Sequence, residues 1–304
     1  MKMNYSESAK KLAPKYLIDK SLHSRFDYQK IKDNCVKFLN YKGEDCFINF
    51  ILTARGRVNF TKRMYDSFVA AKKEFGENVC FTIVEHSEAP MHSKFYRNKP
   101  VNYVYINAAE GEQFNKCLSY NIGVMLAPKS KYFIFHDLDI LIKKDFFNKV
   151  MENIKRTKSR ALQCYTKRRV LNCNAELTNK ILSEDVNINF IEEGSDGVKL
   201  PAIGSKGGSI LLENDLFFEV GGYDPELFRA YSAEDNFFWE KISAVTDISY
   251  ADEPEVKLMH MWHEPQFTKN PFLYEMENDY LLFKGLPKDK KLKFINEKKK
   301  MFKI

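Results

Sequence analysis

From residue 46 onward, short apolar runs alternate with amphipathic stretches, and this alternation sets the reading of the chain. Residues 46–52 (CFINFIL) are apolar at nearly every position, which predicts a strand buried on both faces. The loop Thr53-Ala54-Arg55-Gly56-Arg57 follows. A helix then carries Phe60, Met64, Phe68, Ala71 and Phe75 on one face. Residues 79–85 and 101–106 read as further strands, and 114–126 as a helix stopped by Pro128. Residues 131–136 read as a fourth strand. This β-α-β order predicts an α/β fold: an open, mainly parallel sheet flanked by helices in a single main domain.

The second half is less regular. Residues 165–207 hold Arg168, Arg169, Gly194, Gly197 and Gly204 with little periodicity, and a long connection of this kind reads as a lid or a partly ordered segment. Gly207-Gly208 precede a strand at 209–212, a short helix and turn at 213–222, and a helix at 232–244. Strands at 248–251 and 256–260 close the domain. The reading divides the chain into a polar, lysine-rich extension (1–45), the main domain (46–283) and a basic tail (284–304).

With 304 residues, 44% hydrophobic and 14% aromatic, the chain is neither disordered nor fibrous. Six cysteines lie far apart without a C-x-x-C, so no zinc knuckle or disulfide framework is indicated. Several sit inside apolar runs and read as buried thiols, which suits a reducing compartment. The N-terminus has no apolar core of a signal peptide, and no run approaches the ~18 apolar residues of a membrane span. The expectation is a cytoplasmic protein. The Asn59-Phe60-Thr61 sequon falls inside a helical pattern and reads as accidental. The formal net charge of +7 is concentrated in residues 288–303, KDKKLKFINEKKKMFK. That segment reads either as a solvated tail or as a helix lying on the inner, anionic face of a membrane. Nothing resembles a nucleic-acid-binding motif, so no nucleic-acid partner is expected.

Three groups carry candidate chemistry. Asp137 and Asp139 interrupt the apolar run KYFIFHDLDILI, where two charges need compensation. Two apart in extended backbone, they face one side and can converge on a divalent cation. The same pair also reads as an acidic turn capping the next helix. Glu234-Asp235 open a predicted helix, either as part of a Ser232-x-x-Asp235 capping box or as a general base at a pocket floor. His260 and His263 can share a metal or make separate hydrogen bonds. Mixed carboxylate and imidazole ligands suit manganese or zinc.

The order of these groups resembles the GT-A glycosyltransferases, most of all the β1,4-galactosyltransferase-type group and related bacterial capsule and polysaccharide transferases. The resemblance spans roughly residues 46–283. Phe114-Asn115-Lys116 and Tyr120-Asn121-Ile122-Gly123 are similar to that group's F-N-R…N-V-G helix. Residues 133–139 (FIFHDLD) are similar to its F-V-F-S-D-V-D strand, and Gly207-Gly208-Ser209 with Gly222-Tyr223 to its G-G-V…N-G-F segment. Ala233-Glu234-Asp235 matches its G-E-D.

The resemblance implies a role for each position. Thr53, Arg55 and Arg57 correspond to the loop that holds the nucleotide diphosphate. Phe114 corresponds to the residue stacking on uracil and Asp137 to the ribose contact; Lys116, Gly207 and Gly208 fall on the same nucleotide-sugar-binding side. Asp139, His260 and His263 correspond to the metal ligands, with His260 replacing a methionine, which hardens the site. Asp235 corresponds to the catalytic base, and Glu234 beside it to an acceptor contact. Tyr231 stands where the group has an acceptor-stacking tryptophan, so acceptor identity does not carry over. The function implied is a Mn2+-dependent (Mg2+ possible) inverting transfer of a hexose or N-acetylhexosamine from a UDP-sugar donor. Its acceptor is a glycan or a lipid-linked acceptor in surface polysaccharide synthesis. Two alternatives stand beside it. A sugar-1-phosphate nucleotidyltransferase would carry a Gly-rich basic N-terminal loop, which is absent here. A non-catalytic nucleotide-sugar-binding module fits poorly with intact acids and both histidines.

Overall fold

The computed structural model describes residues 7–22, 26–41, 45–166, 170–184, 186–199, 206–265 and 269–300. Helices α1 (Glu7–Leu22) and α2 (Tyr28–Asn34) and strand β1 (Val36–Leu39) lead into β2 (Cys46–Ala54). The regular half continues with α3 (Val58–Phe75), β3 (Val79–Ser87), α4 (Ser93–Tyr96), β4 (Asn102–Asn107), α5 (Lys116–Leu126) and β5 (Ser130–Asp137). Next come β6 (Ile140–Leu141), α6 (Phe146–Thr157), β7 (Ala161–Gln163), β8 (Val170–Cys173), α7 (Ala175–Ser183) and β9 (Val198–Lys199). The chain finishes with β10 (Ser209–Glu213), α8 (Asn214–Glu219), α9 (Glu234–Val245), β11 (Ile248–Tyr250), β12 (Leu258–His260), α10 (Leu273–Lys284) and α11 (Lys288–Lys299).

The main sheet has eight strands in the order β1-β4-β3-β2-β5-β10-β7-β11. Its centre, β4-β3-β2-β5, is parallel, as the alternation predicts. Strand β1 joins antiparallel at one side, and β10 runs antiparallel to both β5 and β7, so the whole sheet is mixed. A second sheet, β6-β12-β8-β9, is absent from the sequence reading. Its strands are two to four residues long, and of them only β12 falls in a stretch read as a strand, 256–260.

The β2 run is apolar throughout because both its faces are covered. Ile48, Phe50 and Leu52 pack with Met64 and Phe68 of α3 and Phe147 of α6. Ile51 faces the opposite core with Tyr120 of α5, Phe135 and Phe238. Helix α3 ends at Gly76, whose φ of 75° suits glycine. Helix α5 crosses the sheet closely at Gly123, where a Cβ would lie 2.9 Å from Ile51 Cγ2. A larger residue there would push the helix bearing Asn115 and Lys116 off the sheet.

Two expectations are corrected. Cys46 and Cys80 are bonded to each other, with Cα atoms 6.0 Å apart, while Cys35, Cys117, Cys164 and Cys173 are free. The parallel pairing of β2 with β3 brings the two together across 34 residues, which spacing in the sequence does not show. In the basic segment, α11 buries Phe294, Ile295 and Lys298 against the rest of the protein, and Leu292 packs on the same core. Its described apolar residues therefore face inward, and the positions it exposes are mostly lysine: Lys288, Lys290, Lys293 and Lys300, with Asp289 and Asn296 among them. Met301 and Phe302 lie outside the described residues. Lys298 Nζ sits 3.4 Å from Asp224 and 3.3 Å from Glu226, and Lys241 Nζ lies 2.6 Å from Asp224, all four groups buried. Among the described residues, no helix is long and apolar enough to cross a membrane.

Candidate active site

The parallel strands β2 and β5 end side by side, with Thr53 in register with Asp137. The Asp137 amide donates to Gly208 O at 3.0 Å, which seats the double glycine against the strand end. The chain then turns at Leu138-Asp139. That turn breaks the period-two argument, so the two aspartates diverge rather than converge on one ion. Asp137 Oδ1 meets Lys116 Nζ at 2.8 Å and accepts from the Tyr120 hydroxyl at 3.3 Å. Asp139 points to the histidines instead.

The small second sheet is what closes the gap of more than a hundred residues between Asp139 and the histidines. Ile140 of β6 pairs with His260 of β12, and the Met261 amide donates to Asp139 O at 2.8 Å. His263 Nε2 then lies 3.0 Å from Asp139 Oδ2, and one ligand atom from each of Asp139, His260 and His263 falls within 4.8 Å of the others. Arg57 contacts Asp139 Oδ2 through Nη1 and lies 3.1 Å from His263 Nδ1 through Nη2. Burial opposes charge on Asp139. The His263 hydrogen bond and the nearby His260 and Arg57 outweigh it, holding the carboxyl well below the usual range. Burial pushes the His260 imidazole down against the pull of Asp139, favouring the neutral form that ligates metals. Glu264 O sits 2.9 Å from His263 Nδ1; in the tautomer whose Nδ1–H donates to it, Nε2 is left free for a metal and the Arg57 approach to Nδ1 is a contact rather than a hydrogen bond. One carboxylate and two imidazoles with such support fit a divalent ion of the manganese or zinc kind.

Across the cleft, Lys116 is buried and lies 2.9 Å from Asp235 Oδ2, 2.8 Å from Asp137 Oδ1 and 3.8 Å from Glu234 Oε1. Asn115 just before it caps α5, its side chain accepting from the Leu118 amide at 2.9 Å. Burial disfavours a charge on Lys116, but Asp137 and Asp235 outweigh it and raise its pKa well above the usual value. Burial, with help from Asp137 and against the pull of Lys116, raises the Asp235 carboxyl. Burial and Asp235 push Glu234 up to about 8.

The capping box is not formed. Helix α9 starts at Glu234 with Ala233 as its cap residue and no side-chain cap. Glu234 instead accepts from the Ser232 amide at 2.8 Å, which leaves Asp235 turned toward the cleft. Gly207 makes room for it: a Cβ there would lie 2.3 Å from Asp235 Oδ2. Gly208 has a φ of +93°.

These groups surround one cleft of about 720 Å³. Thr53, Arg55, Arg57, Phe114, Lys116, Asp137, Asp139, Gly207, Gly208, Tyr231, Asp235, His260 and His263 all line it. Glu234 does not; it is buried. Arg55 turns aside, donating to Glu112 O at 2.5 Å and lying 3.5 Å from Glu88. Tyr231 is half exposed at the mouth, where Asn270 Nδ2 donates to its carbonyl at 2.8 Å. Tyr165, Asn172, Lys269 and Asn270 also line the cleft and escape the sequence reading. The Tyr165 hydroxyl donates to Gly207 O at 3.0 Å, an arrangement with no periodic signal. Of the segment read as a lid, residues 200–205 lie outside the described residues, as do Arg168 and Arg169.

No protein-family model and no curated protein sequence matches the chain. Among solved structures it is similar to S. aureus TarS 1-349, with a TM-score of 0.51 and 14% identity over 84% of this chain and 72% of that one. It is also similar to the same TarS segment in complex with UDP-GlcNAc, with a TM-score of 0.49 and 15% identity over 82% and 72% of the two chains. A third similar structure is the catalytic domain of Drosophila β1,4-galactosyltransferase 7 in complex with xylobiose. There the TM-score is 0.49 and the identity 12% over 76% and 78%. With its large central sheet flanked by helices, the chain has a GT-A fold, similar to that of S. aureus TarS 1-349.

Proposed function

We propose that the chain is a metal-dependent, inverting glycosyltransferase that moves a hexose or N-acetylhexosamine from a UDP-sugar to a hydroxyl of a glycan or lipid-linked acceptor. The observation that carries this reading is the gathering, at the carboxyl ends of β2 and β5, of two opposed groups around one cleft. On one side stand Asp139, His260 and His263 with Arg57; on the other stands Asp235 with Lys116. Ligands of open α/β sheets bind at such strand ends. The UDP donor and the role in surface polysaccharide follow from the motif resemblance.

Asp139, His260 and His263 are the residues to hold Mn2+ or Mg2+, which as a Lewis acid supplies charge for the departing diphosphate. Arg57, already at this cluster, adds charge-assisted hydrogen bonds to the phosphates. Phe114 offers a ring face for the base. Asp235 accepts the proton of the acceptor hydroxyl as that oxygen attacks the anomeric carbon from the face opposite the leaving group. Burial raises its basicity, and Lys116 offsets part of that rise and fixes the carboxylate in place. Tyr231 at the mouth presents an aromatic face to an acceptor sugar. The lysine face of α11 places the enzyme against anionic lipid at the inner membrane surface by charge alone, since its described apolar residues face inward.

Incubation with Mn2+, a panel of sugar nucleotides and simple acceptor sugars tests the reading. The expected result is UDP release that depends on both metal and acceptor. Release of pyrophosphate from a nucleoside triphosphate and a sugar 1-phosphate would instead identify a nucleotidyltransferase, and binding without turnover a non-catalytic module.

A further inference from the structure

The turn between β2 and α3 is held in an uncommon conformation by a residue outside the cleft. Gly56 has a φ of +62°, and Arg57 beside it a φ of +52° in the left-handed region, which is unfavourable for a residue with a Cβ. Strained backbone persists where its surroundings over-determine it. Here the surroundings are His92, fully buried in the loop after β3. Its Nε2 lies 2.9 Å from Gly56 O, and its Nδ1 lies 2.6 Å from the hydroxyl of Thr61 in the first turn of α3.

One tautomer satisfies both contacts: Nε2–H donates to the Gly56 carbonyl and Nδ1 accepts from Thr61. His92 is itself fixed from behind. Glu85, buried at the end of β3, accepts from the His92 amide at 3.0 Å, the Met91 amide at 2.8 Å, the Ser87 hydroxyl at 2.8 Å and the Tyr103 hydroxyl at 2.6 Å. This chain, buried at Glu85, Tyr103, His92 and Thr61, runs from the sheet to the turn that aims Arg57 at Asp139 and His263.

We propose that His92 is a positioning residue for donor binding: its imidazole clamps Gly56 O and Thr61 so that Arg57 adopts the left-handed conformation that presents its guanidinium to the diphosphate. This rests on the donor reading given above. It adds a residue that never touches the substrate and acts only through Arg57. The hydrogen bonds lost on substitution correspond to about tenfold in affinity.

The test uses the full chain with UDP and Mn2+, measured by titration calorimetry, for the wild type and for His92→Phe, Thr61→Val, Arg57→Ala and the His92→Phe/Arg57→Ala double variant. His92→Phe is expected to weaken UDP binding about tenfold, to raise KM for the sugar nucleotide while kcat stays within about twofold, and to speed amide exchange across residues 55–61. Thr61→Val, which removes a hydroxyl at nearly constant shape, should move binding the same way by a smaller factor, and it decides the matter if His92→Phe fails to fold. In the Arg57→Ala background, His92→Phe should weaken binding no further. If the wild type binds UDP but His92→Phe and Thr61→Val stay within about twofold, or if the His92 effect persists in full without Arg57, the inference is overturned and the donor reading stands. A wild type that binds no UDP with Mn2+ overturns the donor reading and this inference together.

Discussion

Lys116→Met tests the electrostatic centre of the site. The ammonium lies 2.8 Å from Asp137 and 2.9 Å from Asp235, whose side chains are 27% and 23% exposed, with buried Glu234 at 3.8 Å. Removing one partner of a buried ion pair typically costs ~3–5 kcal/mol because the other charge stays behind. Two partners here retain some solvent, so about 3 kcal/mol at pH 8 is the reasoned figure. The loss must depend on pH. Glu234 titrates at about 8 in the fold against an ordinary value of 4.5, and Asp235 is also raised. A raised carboxyl contributes stability that is complete below its unfolded pKa and is lost as pH rises through the folded one. For Glu234 that window is pH 4.5 to about 8. Without Lys116 both carboxyls rise further, so protonation at pH 5 replaces much of the missing cation and the deficit shrinks to about 1 kcal/mol. Urea unfolding at pH 5 and pH 8, with no divalent metal, measures both deficits. Adding Asp235→Asn to Lys116→Met should recover at least half of the pH 8 loss, since the pair is coupled. An equal deficit at both pH values, or no recovery in the double variant, would refute the reasoning.

Other substitutions probe the remaining parts. Asp235→Asn should lower UDP release by about 10²–10⁴ while UDP affinity with Mn2+ holds within about twofold; retained turnover removes Asp235 from its role. Mn2+ at about 100 times its Kd should stabilise the wild type by about 2.7 kcal/mol in thermal unfolding, and Asp139→Ala or His263→Ala should abolish that gain. Gly207→Ala puts a Cβ where a contact of 2.3 Å with Asp235 Oδ2 would result. It should cut turnover by at least about tenfold with the circular dichroism spectrum preserved, and an unchanged rate would show that Asp235 need not sit there. Truncation before Lys288 exposes the core around Phe294 and leaves Asp224 and Glu226 without Lys298, so the remaining chain should fail to show a cooperative unfolding transition.

What the sequence makes legible follows from where the physical signal is local. The β2 and β5 runs and the α3 face are visible because burial on both sheet faces, or along one helix stripe, leaves an unbroken period over many residues. The Asp-Leu-Asp interruption is visible for the opposite reason, as charge inside such a run. Its geometry is not: the turn after Asp137 sends one carboxylate to Lys116 and the other to His263, and a two-residue spacing cannot reveal a turn. Asp139 and the histidines are joined through β6 and β12, strands of two and three residues whose pairing exists only in the folded sheet. Order along the chain hints at that meeting, while local periodicity is silent. Lys116 shows the same limit from the other side. In sequence it is one basic residue at a helix start; in the fold α5, β5 and α9 converge on it, so it faces three carboxylates at once. Residues whose partners are distant acquire their chemistry from convergence, and the groups most central to this cleft are of that kind.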